Sequence, residues 1–395
     1  MKKLKIRDQK RSRIMTLIDL FFGLPFKIAA VFRKKRVVDL TKEDLPKILL
    51  LSTNNIGDTL LLTPAIRAIR RAYPSARIDV FIRPFVKDVL VNNPDVSNIL
   101  TDRVPWFENK IRLKDVVHLI GDIIKIRRES YSLIIDFRGD FRNIFCYLYL
   151  GNGKYRLSSN RSGGVYFLTH VHDFEEDIHA IEKSFGILAL LGLNPKDRAM
   201  GMYVSEDDRQ ALKNKIGDMD FKGRFLIGIH PGAVSKTRRW PLERFAEMVK
   251  SLSEKLPCRF YVSGDNSEKE LGAGLSRLTD DKVIDLTGRL TITELAALFE
   301  KTDLVICNET GIMHLSVALK TKTIAIYGPQ LPEKYGHENE HSRILWKKFD
   351  CCPCLHQFGC DKTGTTSALC MDAVMVDDIL KCAELMLKPK SLSRR

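Results

Sequence analysis

The sequence predicts an α/β protein with two doubly wound halves, because apolar strands alternate with amphipathic helices in two successive series. The first series starts near residue 48 and the second near residue 223, and at roughly 150 residues per domain a chain of 395 residues accommodates both. Ligands of open parallel sheets bind beyond the carboxyl ends of the strands. The loops expected to bind a ligand are therefore residues 52–58, 230–239, 263–268 and 308–314.

The first half contains two βαβ units. A polar, glycine-containing turn at residues 54–58 follows the first strand, and Thr63 and Pro64 begin a helix that ends before Pro74. A second βαβ unit, with a weaker sequence pattern, comes after the strand that follows this helix. The predicted strands are residues 48–51, 78–82 and 133–137, and the second predicted helix is residues 113–128.

The second half repeats this alternation after a charged stretch. Pro241 opens a helix whose apolar residues lie on one face. The predicted strands are residues 225–229, 260–262, 304–307 and 323–327, and the further helices are residues 293–299, 311–319 and 377–387. The predicted boundaries are an arm at 1–46, a first domain at 47–195, a linker at 196–222, a second domain at 223–371 with a Cys-rich loop at 351–370, and a helix and tail at 372–395.

The net charge of +15 is concentrated at the amino terminus. Residues 1–36 contain 12 Lys/Arg and two Asp/Glu, which is +10 of the total. A nucleic-acid-binding protein spreads positive charge over its folded faces, so this distribution argues against that class. The composition predicts an ordinary globular body that carries a basic arm.

Within the arm, an apolar stretch of 19 residues lies between two basic clusters. Asp19 and Lys27 lie inside this stretch, and a charge at the bilayer centre costs about 3 kcal/mol, so a membrane span is disfavoured. An interfacial helix on anionic lipid is favoured, with an unstructured basic extension as the alternative. The helical stripe that would enter the interface is Leu17, Leu20, Phe21, Leu24 and Ile28.

Five of the nine cysteines fall within 20 residues, at Cys351, Cys352, Cys354, Cys360 and Cys370. Cys351, Cys354, Cys360 and Cys370 supply four thiolates, which is the number that a structural zinc requires. The spacing lacks the paired C-x2-C knuckles of typical zinc sites, so buried reduced thiols are the favoured interpretation.

Two loops of the second half carry groups that suit a phosphate. The segment HPGAVSKTRRWP places Lys236, Arg238 and Arg239 before a helix, and Thr310 and Gly311 open another helix. A Walker loop and a G-x-G-x-x-G fingerprint are absent from the sequence, which argues against an NTPase and a dinucleotide oxidoreductase. The alternatives are a solvated basic loop, a helix-capping glycine and, for His314, a core histidine.

Several motifs together resemble glycosyltransferase family 9, the ADP-heptose:lipopolysaccharide heptosyltransferases. They are IGDTLLLTPAIRAIRRAYP, NPDV, LIIDFRGD, HPGAVSKTRRWP, ETGIMHL and YGP, in order over residues 47–385. The resemblance implies a GT-B fold, with two Rossmann-like domains facing across a cleft, the acceptor on the first and the sugar nucleotide on the second. It implies inverting transfer of heptose from ADP-heptose to the lipopolysaccharide inner core, without a required cofactor, by a cytoplasmic enzyme peripheral to the inner membrane.

For the first half, the resemblance implies that Asp58 is the general base that deprotonates the acceptor hydroxyl. The alternative for this residue is a helix cap or a turn. The acceptor residues implied are Asn55, Gly57, Arg138 and Arg142. Both arginines suit an anionic sugar or a core phosphate, and the alternative is surface salt bridges with Asp136 and Asp140.

For the second half, the resemblance assigns nine donor-binding residues, which are Ser235, Lys236, Thr237, Arg239, Glu268, Glu309, Thr310, Gly311 and His314. Arg239 contacts the diphosphate in this scheme, and Glu268 binds the ribose hydroxyls, with Asp265 as an alternative partner. Glu309 stands where the family usually has aspartate. The longer carboxylate leaves open another nucleotide-activated sugar, and a non-catalytic sugar-nucleotide-binding protein is a third interpretation. The pair Asp218 and Asp220 is assigned to the linker, with no metal.

Overall fold

The computed structural model describes residues 39–107, 112–217, 223–354, 359–360, 363 and 368–387. The chain divides into two compact units, Met1–Met200 and Gly201–Arg395. The apolar stretch of the arm, together with Asp218 and Asp220, lies outside the described residues. None of the helices in the described part is both long enough and apolar enough to cross a bilayer.

The first unit is built on a six-stranded parallel sheet with the order β3-β2-β1-β4-β5-β6. Its strands are β1 (Lys47–Ser52), β2 (Arg77–Ile82), β3 (Asn98–Thr101), β4 (Leu133–Asp136), β5 (Tyr155–Ser159) and β6 (His170–His172). Its longer helices are α1 (Ile56–Ala72), α2 (Leu113–Glu129) and α3 (Ala180–Leu188), and Phe141–Asn143 continues into a π-helical segment, Ile144–Tyr149. The strand order reverses between β1 and β4, which is the switch point where such sheets bind ligands.

Helix α1 begins earlier than the sequence predicts, so the expected start at Thr63 and Pro64 is wrong. It starts at Ile56, and Pro64 lies inside it. Proline has no N–H to donate to the carbonyl of Leu60, four residues earlier, and the hydroxyl of Thr63 donates to that oxygen instead, at 2.7 Å. The helix therefore continues through the proline with its carbonyl satisfied.

The second unit contains another parallel sheet, with the order β12-β11-β10-β7-β8-β9. Its strands are β7 (Phe225–His230), β8 (Cys258–Val262), β9 (Val283–Asp285), β10 (Leu304–Asn308), β11 (Thr323–Tyr327) and β12 (Ser342–Trp346). Its longer helices are α4 (Glu206–Ile216), α5 (Leu242–Lys255), α6 (Lys269–Leu278), α7 (Ile292–Phe299), α8 (Gly311–Ala318) and α9 (Val376–Met386). The predicted α/β class with two doubly wound halves is confirmed, and the second switch point lies between β7 and β10.

Both sheets have fully buried central strands. In the first unit, Leu49 and Leu51 pack with Ile134 and Tyr147. In the second unit, Ile227 and Ile306 pack against helices α5 and α9. Because both faces of a parallel sheet are covered, the apolar central strands hold their carboxyl-terminal loops at a fixed edge.

The stretch predicted as a charged linker contains helix α4. Ser205 caps this helix, and its hydroxyl accepts a hydrogen bond from the Asp208 N–H at 3.2 Å. Arg209 donates to both carboxylate oxygens of Glu300, at 2.8 and 3.0 Å. These contacts fix much of the charged stretch on the second unit.

Candidate functional site

At the first switch point, buried hydrogen bonds tie the loop after β1 to the loop after β4. The Asn143 amide donates to the Thr53 hydroxyl at 3.1 Å and to Asp136 Oδ1 at 2.8 Å. Asp136 Oδ2 accepts from the N–H groups of Gly139 and Asp140, at 2.8 and 3.2 Å. Burial raises the pKa of Asp136. The alternative of a surface salt bridge at Asp136 is therefore wrong, because this carboxylate organises the loop from within.

Asp58 lies in the first turn of α1, directly beyond β1. Its Oδ2 accepts a hydrogen bond from the Asn55 N–H at 3.3 Å, which satisfies a donor at the helix start. Burial raises the pKa of Asp58, while that hydrogen bond and the charges of Arg138 and Arg161 act in the opposite direction. The side chain thus combines the helix-capping contact with the raised proton affinity that a general base needs.

The two predicted acceptor arginines both contact Asp140, and the charge of Arg138 also acts on Asp58. Arg142 forms a bidentate pair with Asp140, at 2.9 and 2.7 Å, and its guanidinium lies 5.4 Å from the ring centroid of Trp106. Arg138 donates to the Asn54 side chain, and its Nε lies 3.6 Å from Asp140 Oδ2. Asp140 is buried, so these ion pairs are not surface salt bridges, and the role of the two arginines stays a prediction.

Three further residues complete this edge of the first unit. Asn55 Oδ1 accepts from Arg83 at 3.3 Å, and Gly57 is buried in the first turn of α1. Arg161, which sequence reasoning missed, donates to the carbonyl of Arg138 at 3.3 Å. Its place in the sequence, after a short polar strand, gives no local signal. Together with Arg138 and Arg142, it makes this edge cationic around Asp58.

In the second unit, Asn308 holds both ends of the loop that follows β7. Its amide nitrogen donates to the Pro231 carbonyl at 2.8 Å, and its Oδ1 accepts from the Trp240 N–H at 3.1 Å. The side chain is fully buried at the end of β10. Sequence reasoning missed this residue, although it directly precedes the ETG motif.

Inside that loop, the predicted phosphate residues also hydrogen-bond one another. The hydroxyls of Ser235 and Thr237 are 2.7 Å apart and buried, whereas Lys236 is exposed. Arg239 donates through Nε and Nη2 to the Ala233 carbonyl, at 3.0 and 2.8 Å. Arg239 therefore shapes the loop itself, in addition to carrying a charge near its end.

The carboxylate of Glu268 packs against two glycines of the neighbouring loops. A Cβ atom at Gly232 would lie 1.8 Å from Glu268 Oε1, and one at Gly264 would lie 2.9 Å from Oε2. Oε2 also accepts from the Asp265 N–H at 3.1 Å, and His230 Nε2 lies 3.9 Å away. Glu268 is thus a half-buried carboxylate between the loops that follow β7 and β8.

Asp265 has a different local role from Glu268. Its Oδ1 accepts from the Ser267 N–H at 2.7 Å and from the Ser267 hydroxyl at 2.6 Å. This pattern is that of a capping residue at a helix start. The side chain is exposed, in contrast to the half-buried Glu268.

The ETG motif places Glu309 against the loop that follows β7. Glu309 is buried, and its Oε2 lies 3.2 Å from Arg238 Nη1. Thr310 caps helix α8, accepting from the Ile312 N–H at 3.2 Å, and Gly311 is the first helical residue. His314 is buried, and its Nδ1 lies 3.0 Å from His337 Nε2.

The Cys-rich loop is only partly described. Within the described residues, no three His, Cys, Asp or Glu side chains are grouped so as to hold a metal ion. Burial raises the pKa of the Cys370 thiol to about 12 and also raises that of Cys352. These two groups are therefore protonated thiols near neutral pH, and Cys351, Cys354 and Cys360 are unbonded by disulfides.

Comparison with known proteins identifies matching sequences. The family model described as glycosyltransferase family 9 (heptosyltransferase) matches residues 123–362. Lipooligosaccharide heptosyltransferase 2 of Campylobacter jejuni is 25% identical over 344 residues, covering 85% of this chain and 97% of that protein. Lipopolysaccharide heptosyltransferase 1 of Pseudomonas aeruginosa is 22% identical over 327 residues, covering 78% and 86%.

Solved structures give the same fold. A family 9 glycosyltransferase from Veillonella parvula aligns with a TM-score of 0.75 at 20% identity, covering 88% of this chain and 98% of that one. The Escherichia coli ADP-heptose lipopolysaccharide heptosyltransferase II aligns with a TM-score of 0.71 at 18% identity, covering 86% and 98%. The expected GT-B class, with two Rossmann-like domains, is confirmed.

The contact between Gly232 and Glu268 generates a prediction about nucleotide binding. Gly232→Ala places a methyl group where Glu268 Oε1 now lies, so the carboxylate is displaced and the affinity for ADP falls about tenfold or more. Isothermal calorimetry with ADP measures the change. Gly274→Ala is the matched control, because its Cβ meets only the tip of the Leu242 side chain. Equal ADP affinity in both variants would contradict the assignment of Glu268.

Proposed function

The chain belongs to glycosyltransferase family 9, and from that premise we propose that it transfers heptose from ADP-heptose to the lipopolysaccharide inner core. Membership makes it a glycosyltransferase. The names of its relatives, lipooligosaccharide and lipopolysaccharide heptosyltransferases, support this donor and acceptor. The observation that carries the proposal is Asp58, a half-buried carboxylate with a raised pKa at the switch point of the first unit.

In the proposed reaction, Asp58 takes the proton of the acceptor hydroxyl. The freed oxygen attacks the anomeric carbon of the heptose from the side opposite the diphosphate. As the new C–O bond forms, the bond to the diphosphate oxygen breaks, and ADP leaves with the electron pair. One displacement of this kind inverts the anomeric configuration, and the stronger base that burial produces lowers the cost of the proton transfer.

We propose that the cationic edge of the first unit binds the anionic acceptor. Arg138 and Arg142 supply guanidinium groups, which match a carboxylate or a phosphate with paired hydrogen bonds. Arg161 adds a third guanidinium group, and its charge acts on Asp58. Asn55 and Gly57 belong to the same edge, beside Asp58.

We propose that the second unit binds the sugar nucleotide. Glu268 accepts hydrogen bonds from the ribose hydroxyls. The loop from Ser235 to Arg239, in which Lys236 is exposed, surrounds the diphosphate. Two negative phosphates gain from nearby cations and from backbone N–H donors. The transferred sugar lies toward the ETG motif, where the remaining donor residues are Glu309, Thr310, Gly311 and His314.

The proposed setting is the cytoplasmic side of the inner membrane, where the lipid-anchored acceptor is located. The arm at residues 1–36 supports it, because 12 basic residues flank or interrupt an apolar stretch. Each basic residue near an anionic membrane contributes about 1 kcal/mol of attraction. The arm then raises the encounter rate between enzyme and acceptor without taking part in the chemistry.

A donor panel tests the proposed reaction. Purified protein is incubated with a truncated inner-core acceptor and with ADP-heptose, ADP-glucose or UDP-glucose, and product is measured by mass spectrometry. We expect kcat/KM for ADP-heptose to exceed that for the other donors about 100-fold, since hydroxyl-matched sites discriminate strongly. Preferred transfer from another donor would show that the transferred sugar is not heptose. Binding of all donors without product would indicate a non-catalytic protein.

Asp58→Asn tests the base. We expect kcat to fall about 1000-fold, because the amide retains the shape of the carboxylate but does not accept the proton. ADP affinity stays at the wild-type value, since Asp58 belongs to the first unit. Asp44→Asn, at an exposed aspartate of the same unit, is the control and keeps full activity. Wild-type turnover in Asp58→Asn would remove the assignment.

A further inference from the structure

Helix α2 of the first unit presents a stripe of apolar side chains to solvent. Five of its residues point outward with 38–81% of their surface exposed, and they are Leu113, Val116, Val117, Ile120 and Ile124. Their spacing of three or four residues places them on one side of the helix, over about 17 Å. A contiguous exposed apolar patch of this kind is typical of an interaction surface.

The inward side of the same helix carries acids, so the stripe is not a by-product of ordinary packing. Asp115 and Asp122 are buried, and Asp115 accepts from the Arg112 N–H at 2.8 Å. Burial and the neighbouring Asp102 raise the pKa of Asp122 to about 7. A helix that served only its own core would turn aliphatic residues inward and acids outward. Helix α2 packs Ile126 into the core, but it also buries two acids and leaves five aliphatic side chains on its outer side.

The charges around the stripe are positive. Lys114, Lys125 and Arg128 are exposed beside it. Lys125 Nζ lies 4.0 Å from Asp122 Oδ1, at the margin of an ion pair. The remaining acid of the helix, Glu129, pairs with Lys47 and Arg77 at its carboxyl end, away from the stripe. An apolar face flanked by basic residues is the pattern of helices that lie in the surface of anionic membranes.

We propose that helix α2 docks the first unit on an anionic lipid bilayer, with its axis parallel to the surface and its stripe among the acyl chains. The charges around the stripe favour an anionic bilayer over the amino-terminal arm or a second copy of the chain. The amino-terminal arm carries +10, and a second copy of the helix would bring the same lysines and arginines into contact, so both would meet repulsion. Anionic headgroups instead meet the flanking cations favourably.

The position of α2 connects this surface to the catalytic edge. In a parallel sheet, a helix between two strands starts at their carboxyl edge, which is also the edge that holds Asp58. Leu113, the most exposed residue of the stripe, is at that end of the helix. Trp106, in the turn before the helix, lies against the guanidinium of Arg142. A bilayer beneath the helix would therefore lie near the arginines assigned to the acceptor, and this last point rests on the proposed function.

Vesicle binding of the full chain tests the docking surface. The protein is floated with vesicles of phosphatidylethanolamine and phosphatidylglycerol, and in parallel with phosphatidylcholine vesicles. The variant Val117→Ser/Ile120→Ser keeps the basic arm and loses apolar surface at the centre of the stripe. We expect its partition coefficient on the anionic vesicles to fall about tenfold, and wild-type binding to be weaker on phosphatidylcholine. Leu278→Ser/Leu385→Ser, at exposed leucines of the second unit, is the matched control and binds as wild type.

Three outcomes would overturn the docking surface. The first is unchanged vesicle binding by Val117→Ser/Ile120→Ser, which would leave the arm as the whole anchor. The second is a wild-type dimer in light scattering that the variant converts to monomer, which would make the stripe an interface between copies. The third is faster proteolysis of the arm in the variant without vesicles, which would show that the arm covers the stripe. Transfer to a soluble acceptor, unchanged in the variant, separates these results from failure of the proposed function.

Discussion

The site depends on one physical constraint, the burial of polar side chains where the strand order of each sheet reverses. The connections after the two neighbouring strands lead away from each other there, and the backbone groups of these loops need partners. Asp136, which Asn143 holds in place, accepts from two backbone N–H groups in the first unit, and Asn308 bonds two backbone groups in the second. A buried polar group that loses its partner costs about 1–3 kcal/mol, so each network favours one loop conformation. The conformation of these loops determines where the candidate site residues lie.

The chemistry of Asp58 follows from a balance of two opposed electrostatic effects. Burial disfavours the charged carboxylate and raises its proton affinity, whereas Arg138 and Arg161 favour the charge. Burial alone would favour the protonated form, which cannot accept a proton, and arginines alone would weaken the base. In the proposed reaction, the same arginines would also attract the anionic acceptor.

The sequence predicted the central strands and the loop after β7, because their signals are local: an apolar run, a proline and a cluster of cations. The binding of a phosphate by that loop stays a prediction. Edge strands such as Asn98–Thr101 and Ser342–Trp346 escaped prediction, since they are short and half-exposed and lack an apolar run. The start of α1 was misplaced because Thr63 compensates for Pro64. Asn308 and Arg161 were missed because their partners are distant in sequence. The pairing of Glu309 with Arg238 is a tertiary contact that the sequence does not reveal.

The pH dependence of kcat/KM for transfer from ADP-heptose tests the central claim most directly, because this parameter reports the ionisation of the free enzyme. The base acts when ionised, so activity falls as pH is lowered through the pKa of Asp58. The account predicts an acid limb above the ordinary value of 3.8, and Arg161→Gln moves it to still higher pH by removing a charge that favours the carboxylate. A rate that stays constant down to about pH 4, or a limb that Arg161→Gln leaves in place, would contradict it.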